Sequence, residues 1–462
     1  MSPPVRRVSV ILAVAVPASM GAWMATGGPS SQGPAISVEL GPIVSADAPK
    51  ADHVEPWLAV NPRKPGHAIA VSIGGSGSAA YVTVDGGNSW TRGRQSEPKA
   101  DWFPGIDPVV TFDGQGKPYL ATVSPFRVWR SNDGGHQWEG PVVIPGRAYD
   151  REYLASRGVA ASVDTLYAVG RTALTVFGHS IDGAIGLARS IDGGRTFDFP
   201  RLLLPDPARS IIHTVGGIIA TIDGTILISY MAHDAPVRDS ALLQNHIWVI
   251  RSDDGGRRFA DPVAAGASVV HGNRGDLLGV AKDVSTASLA MDTVRASPFR
   301  GRAYLSWLTV QEGRGQVMVA ASSDTGRTWG PPVRVNDEMG SANHSNPMIA
   351  ANAGVVAVMW NDRRADPNDL CFRATVSASV DGGASFLPNV PLVRDDTCPI
   401  GRRQPSGFRM EGFRERYLSG GETQGIAPLP GGAFLAVFME EGDGALRLRA
   451  ARVQVLRGGS HQ

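Results

Sequence analysis

Ser190-Ile-Asp192-Gly-Gly194-Arg-Thr-Phe197 and Ser322-Ser-Asp324-Thr-Gly326-Arg-Thr-Trp329 are two copies of one short pattern: a hydroxyl residue, any residue, Asp, any residue, Gly, two more, then an aromatic. It recurs at Thr83-Val-Asp85-Gly-Gly87-Asn-Ser-Trp90, Ser131-Asn-Asp133-Gly-Gly135-His-Gln-Trp138, Ser252-Asp-Asp254-Gly-Gly256-Arg-Arg-Phe259 and Ser379-Val-Asp381-Gly-Gly383-Ala-Ser-Phe386. At ordinary residue frequencies one match is expected in about one chain of a hundred. The pattern has a mechanical reason. A carboxylate two residues after a hydroxyl accepts hydrogen bonds from the N–H groups that follow, the glycine supplies a left-handed residue, and the aromatic packs beneath the turn as the next strand begins. The six aspartates are therefore read as structural, their charge consumed by the turn.

Outward from each repeat the strands read in one order. An inner strand and a second strand precede it, the repeat joins a third strand to a fourth, and the fourth leads into the next unit. In the second unit these are 107–112, 118–123, 127–130 and 142–144; in the fifth, 287–291, 302–309, 317–320 and 333–335. After the sixth repeat the pattern is written once more without its turn, at 425–428, 433–439 and 446–455. That unit lacks a fourth strand, whereas 37–45 is strand-like and has no unit of its own. Pairing the two closes a ring and leaves no open edge. The expectation is an all-β chain, a β-propeller of seven four-stranded blades with six as the alternative count, spanning residues 36–457 before a tail at 458–462.

Composition agrees. In 462 residues, Gly (56) and Pro (33) are above average, which implies many turns and few long helices. The 44 basic and 43 acidic side chains leave a net charge of +1, so nothing electrostatic favours nucleic acid or an anionic membrane surface. A monomer is expected.

Residues 1–25 differ from all that follows: Arg6-Arg7, then an apolar run from Val8 to Ala25, then a Gly/Ser/Pro-rich linker over 26–35. This reads as a secretory signal, with an uncleaved anchor as the second reading because the run is just long enough to span a bilayer. The mature domain is expected outside the cytoplasm with no inserted segment. There Cys371 and Cys398, the only cysteines, can pair.

Ligands of propellers meet the residues at the leading ends of the inner strands, around the channel mouth. Glu55-Pro56-Trp57, Asp107-Pro108-Val109 and Asn346-Pro347-Met348 share one form and are expected at equivalent places. Glu55, Asp107 and Glu152 then cluster on adjacent blades, a carboxylate set able to share a proton, ligate a cation or flank a glycosidic bond. The bland reading is that they cap strands and bind channel water. Arg151, His213, His344, Asn346, Arg364, Tyr417 and Glu422 are candidate substrate contacts, and no metal or cofactor site is assigned, although a structural cation such as calcium stays open.

The six repeats resemble the Asp-box, or bacterial neuraminidase repeat, of the sialidase superfamily, over about residues 81–386. The resemblance implies a propeller and a glycosidase acting on extracellular carbohydrate. Family members hold the sugar carboxylate with three arginines and use an aspartate acid/base with a tyrosine nucleophile activated by a glutamate. Asn361-Asp-Arg363-Arg364 partly echoes the third arginine's context, and Arg373 stands one residue from the place of the second. The Arg-Ile-Pro motif of the first arginine does not occur, and where the family tyrosine precedes a small-small-apolar-Ala run, Thr423 precedes Gln424-Gly-Ile-Ala427. Tyr417 is the nearest tyrosine. Two classes follow: an exo-sialidase-like glycoside hydrolase, and a non-catalytic propeller that binds glycan or protein.

Overall fold

The computed structural model describes residues 33–46, 52–123, 125–146, 148–159, 163–176, 179–203, 211–234, 242–271, 287–312, 314–340, 342–368, 371–398, 421–442 and 445–457. These form 28 strands and one short 3-10 turn at Pro430–Gly432. The strands make seven four-stranded antiparallel units. Their inner strands are His53–Val60, Ile106–Phe112, Ala148–Ser156, Ile211–Ala220, Ser288–Met291, His344–Asn352 and Gly425–Leu429, which we call the inner strands of blades I to VII. Each packs beside the next, and that of blade VII packs back on that of blade I, so the ring closes. The closing strand is Ala35–Ile43, paired antiparallel with Ala445–Leu456 from Ala35 opposite Leu456 to Ile43 opposite Arg449. The first two blades are also joined at their rims, where Thr91–Gln95 and Gln137–Val143 pair in parallel.

The core lies between neighbouring sheets rather than inside any one of them. A separate apolar cluster fills nearly every interface, such as Tyr304, Leu308, Val319, Val358 and Trp360 between blades V and VI. Second strands are covered on both faces, so Ala68–Gly74 and Val355–Asp362 are buried at every residue and read as continuous apolar runs instead of alternating ones. Trp360 is fully buried, and its replacement by Ala would cost about 3–5 kcal/mol.

All six repeats form the same turn. In the third, the Ser190 hydroxyl donates to Asp192 Oδ1 at 2.8 Å, the N–H groups of Arg195 and Thr196 donate to that same oxygen, and Gly194 N–H donates to Ser190 Oγ. Both glycines after Asp192 have left-handed backbone, φ +72° and +75°. Where the fifth repeat replaces the first glycine by Thr325, the threonine adopts φ +60°.

Cys371 and Cys398 form a disulfide that brackets the third and fourth strands of blade VI, Arg373–Ser379 and Val390–Pro391. Residues 1–25, read as signal or anchor, lie outside the described residues. Among the described residues no helix is long and apolar enough to cross a membrane.

Candidate functional site at the channel mouth

Glu55, Asp107 and Asn346 occupy equivalent positions. Each sits in a β-bulge of its inner strand, where the register slips between Val54 and Trp57, between Ile106 and Val109, and between Ser345 and Met348. Each has left-handed backbone, φ +53°, +52° and +55°, a conformation that Asn and Asp tolerate and that costs a glutamate about 1–2 kcal/mol. Bulges of this kind re-aim side chains next to functional sites. Blade III carries the same slip between Asp150 and Tyr153. There Arg151 stands in sequence where Glu55 and Asp107 stand, and Glu152 takes the place of the prolines. Glu152 therefore stands one residue beyond the positions of Glu55 and Asp107.

The three carboxylates nonetheless line one small pocket, together with Trp57, Pro108, Val109, Tyr153 and Thr423. It has room for about one water molecule. Asp107 is partly exposed, whereas Glu152 is 2% exposed and neither of its carboxyl oxygens bonds another described residue. Burial, and after it the charges of Asp107, Asp150 and Glu55, push the Glu152 carboxyl well above the usual glutamate range, against a smaller opposing pull from its own backbone N–H. The pocket therefore joins a buried carboxyl whose charged form is disfavoured to Asp107, which is partly exposed. Glu55 is packed on Gly421, and the carbonyl of Gly421 accepts a 2.5 Å bond from Asn346 Nδ2. One residue thus ties the bulges of blades I and VI.

Other candidates gather elsewhere. His344 is fully buried at the start of the inner strand of blade VI, with Nε2 2.9 Å from Glu338 Oε1 and Nδ1 3.7 Å from Asp362 Oδ2. Among the described residues, Glu338, His344 and Asp362 alone bring three ligating atoms within 4.8 Å of one another. Arg364 already holds this set: its guanidinium donates to Asp362 Oδ2 at 2.8 Å, Glu338 Oε2 at 3.1 Å, Asp337 Oδ1 at 2.6 Å and Asn389 Oδ1 at 2.7 Å. Trp360 Nε1 and Asn336 Nδ2 donate to Asp362 and Glu338 as well. Burial opposes charge on Glu338, but the His344 and Asn336 contacts outweigh it and hold the carboxyl below its ordinary range. These donors suit an ion-pair cluster, whereas calcium takes six to eight oxygens. Arg364, expected at a substrate, is thus engaged by three carboxylates.

Arg151 and His213 lie on their inner strands, but their side chains fall outside the described residues, as does all of Tyr417. Glu422 is buried just ahead of the inner strand of blade VII. Sequence reading passed over Glu338, Asp337 and Asn389, which lie in loops 25 or more residues from their partner Arg364. Their only signal was the polar run from Asn336 to Glu338.

No family model and no curated protein matches the chain. Among solved structures it is similar to an α-L-arabinofuranosidase from Fusarium graminearum in complex with an iminosugar inhibitor, at 12% identity over 76% of this chain and 92% of that one, with a TM-score of 0.44. It is similar to YCF48 bound to D1 peptide, at 12% identity, 92% and 98% coverage and a TM-score of 0.41. It is also similar to the Trypanosoma rangeli sialidase in complex with 2,3-difluorosialic acid, at 11% identity, 87% and 54% coverage and a TM-score of 0.40. At such identities and scores these likenesses carry nothing about activity.

Proposed function

We propose that this chain is an extracytoplasmic glycoside hydrolase of sialidase-like architecture, working on terminal sugars of a glycan at the channel mouth. One observation carries the reading: Glu152 is a buried carboxyl that bonds no other described residue, its charged form disfavoured by burial, in the same pocket as Asp107 and Glu55. Glycosidic cleavage needs one carboxyl that keeps its proton and a second that stays ionised, and environments that push two carboxyls apart supply that pair. Asp107, partly exposed, exchanges the proton with the leaving oxygen or with water. Glu152 sits behind it as the proton reserve, and Glu55 is the second carboxylate. Arg151, in the equivalent position on the next blade, is the arginine available for an anionic sugar, since Arg364 is committed to its own cluster. With the family tyrosine replaced by Thr423, the chemistry falls to the carboxylates. The apolar leader and the disulfide support an exported protein.

The size of the pocket favours a second reading. Room for about one water is too little for a sugar ring, which suits a propeller that binds glycan at its mouth without cleaving it. A panel of aryl glycosides, the sialoside included, run beside a glycan-binding array separates the two. On the catalytic reading Asp107→Asn and Glu152→Gln each lower turnover at least about a hundredfold without unfolding the protein. Turnover that survives both substitutions removes these residues from the chemistry, and binding without turnover of any sugar decides for the second reading.

A further inference from the structure

Below the mouth the inner strands line a channel cavity of about 320 Å³ that is open to solvent. None of the described residues that line it carries a charge. Trp57, Leu154, Ile219, Leu289, Met348 and Ile426 face it from six of the seven blades, and all but Met348 are only partly buried, so they leave apolar surface open to it. Two of its few polar residues are already used by the fold. Ser288 Oγ accepts the Ile349 N–H at 3.3 Å, and the Gln424 amide donates to Asn346 O and Asn361 Oδ1, each at 3.1 Å. The inner strands are the last strands of their sheets, so the polar groups left to the cavity are mainly backbone groups of those strand edges, and the side chains between them are apolar.

Its shape is elongated. The wall takes in four successive residues on each of three inner strands, 57–60, 288–291 and 348–351. At about 3.3 Å per residue that is a depth of about 10 Å. Trp57 lines both this cavity and the carboxylate pocket, and its ring packs edge-on against Tyr153 at 5.4 Å.

We infer that the cavity receives the alkyl chain of an amphiphilic ligand, so that the protein selects glycoconjugates whose sugar sits at Glu55, Asp107 and Glu152 while an apolar chain descends past Trp57. The sugar half rests on the function proposed above; the chain half stands on the cavity alone. Transfer of an alkyl chain from water into such a wall raises affinity about fourfold per methylene.

The test is a chain-length ladder on the intact protein. Binding of n-butyl, n-hexyl and n-octyl β-D-glucosides, and of n-hexanol and n-octanol, is measured by calorimetry below the micelle concentration. Affinity is expected to climb about fourfold per methylene for both series and to level off once the chain fills the channel. Leu289→Trp and Ile426→Trp, on different blades, each fill part of the cavity and are expected to flatten the climb; the wild-type ladder needs neither variant to fold. Affinity independent of chain length, or a gradient unchanged in a folded tryptophan variant, overturns the chain site. Alcohols that bind with the expected gradient while no aryl glycoside is cleaved keep the chain site and sink the hydrolase. Cleavage without any chain-length dependence does the reverse.

Discussion

Gly421 is pressed against Glu55: a Cβ on it would overlap Glu55 Cγ and stand 2.9 Å from the Glu55 backbone nitrogen. Gly421 also has φ +85°, so two separate demands fall on one residue. Gly431, at φ +75° with nothing within 4 Å of its absent Cβ, carries only the second. Gly421→Ala is therefore expected to lose about 1–3 kcal/mol more stability than Gly431→Ala, and to lose ligand binding as Glu55→Gln does. Urea titrations of the two variants measure the difference. Equal losses would show that Glu55 is not held by this contact.

Glu152 makes stability depend on pH in an unusual direction. The folded chain keeps a proton on this buried carboxyl at pH values where the unfolded chain, with an ordinary glutamate at about 4.5, has released it. Stability then falls as pH rises above about 4.5, until the folded group itself ionises. Glu152→Gln removes that slope. Its melting temperature relative to wild type is expected to rise steadily from pH 4.5 upward and to show no such trend below it, as read in thermal melts from pH 3 to 8.

The repeat aspartates act in the opposite sense. Burial slightly opposes charge on Asp192, but the hydroxyl and N–H of Thr196, the Ser190 hydroxyl and the Arg195 N–H outweigh it and hold the group at about 2. Asp324 is likewise held at about 2, by Thr328, Ser322 and Arg327. Stability from these turns is fully present above pH 4 and is lost as pH falls through about 2. Asp192→Ala is expected to cost about 1–3 kcal/mol at neutral pH while leaving turnover per folded molecule unchanged. Lost activity at an unchanged melting point would mean that this aspartate does more than hold its turn.

Thr325 offers a gain instead. A β-branched residue at φ +60° is strained where four neighbouring repeats and the first place a glycine. Thr325→Gly relieves that strain at some cost in unfolded-state entropy, for a net stabilisation of about 0.5–1 kcal/mol. A melting temperature unchanged or lowered would show the surroundings favour the threonine.

The ring was legible because its signals are local. Each repeat turn is built within eight residues, and the unpaired strand-like segment at 37–45 matched a blade short of one strand, as the pairing of Ala35–Ile43 with Ala445–Leu456 bears out. The equivalence of Glu55, Asp107 and Asn346 was legible for a similar reason: a polar residue before proline is the local signature of the bulge. Glu152 and Arg364 were harder. Glu152 occupies a bulge without a proline, and the depth of its burial does not show in the sequence. Arg364 stands out by its immediate neighbours, yet its role is decided by Asp337, Glu338 and Asn389, contributed from loops distant in the chain. Ion pairs between distant loops leave no spacing in the chain.

The strand that closes the ring is made first and used last. Ala35 finds its partner in Leu456, and at the ordinary pace of about 5–20 residues per second roughly 20–80 seconds of synthesis separate them. Through that interval the outermost edge of the last blade does not exist, and the early segment has nothing to pair with. A chain in that condition has its ring open until the last strand is made. Completion then becomes a single late event, with each end waiting for the other.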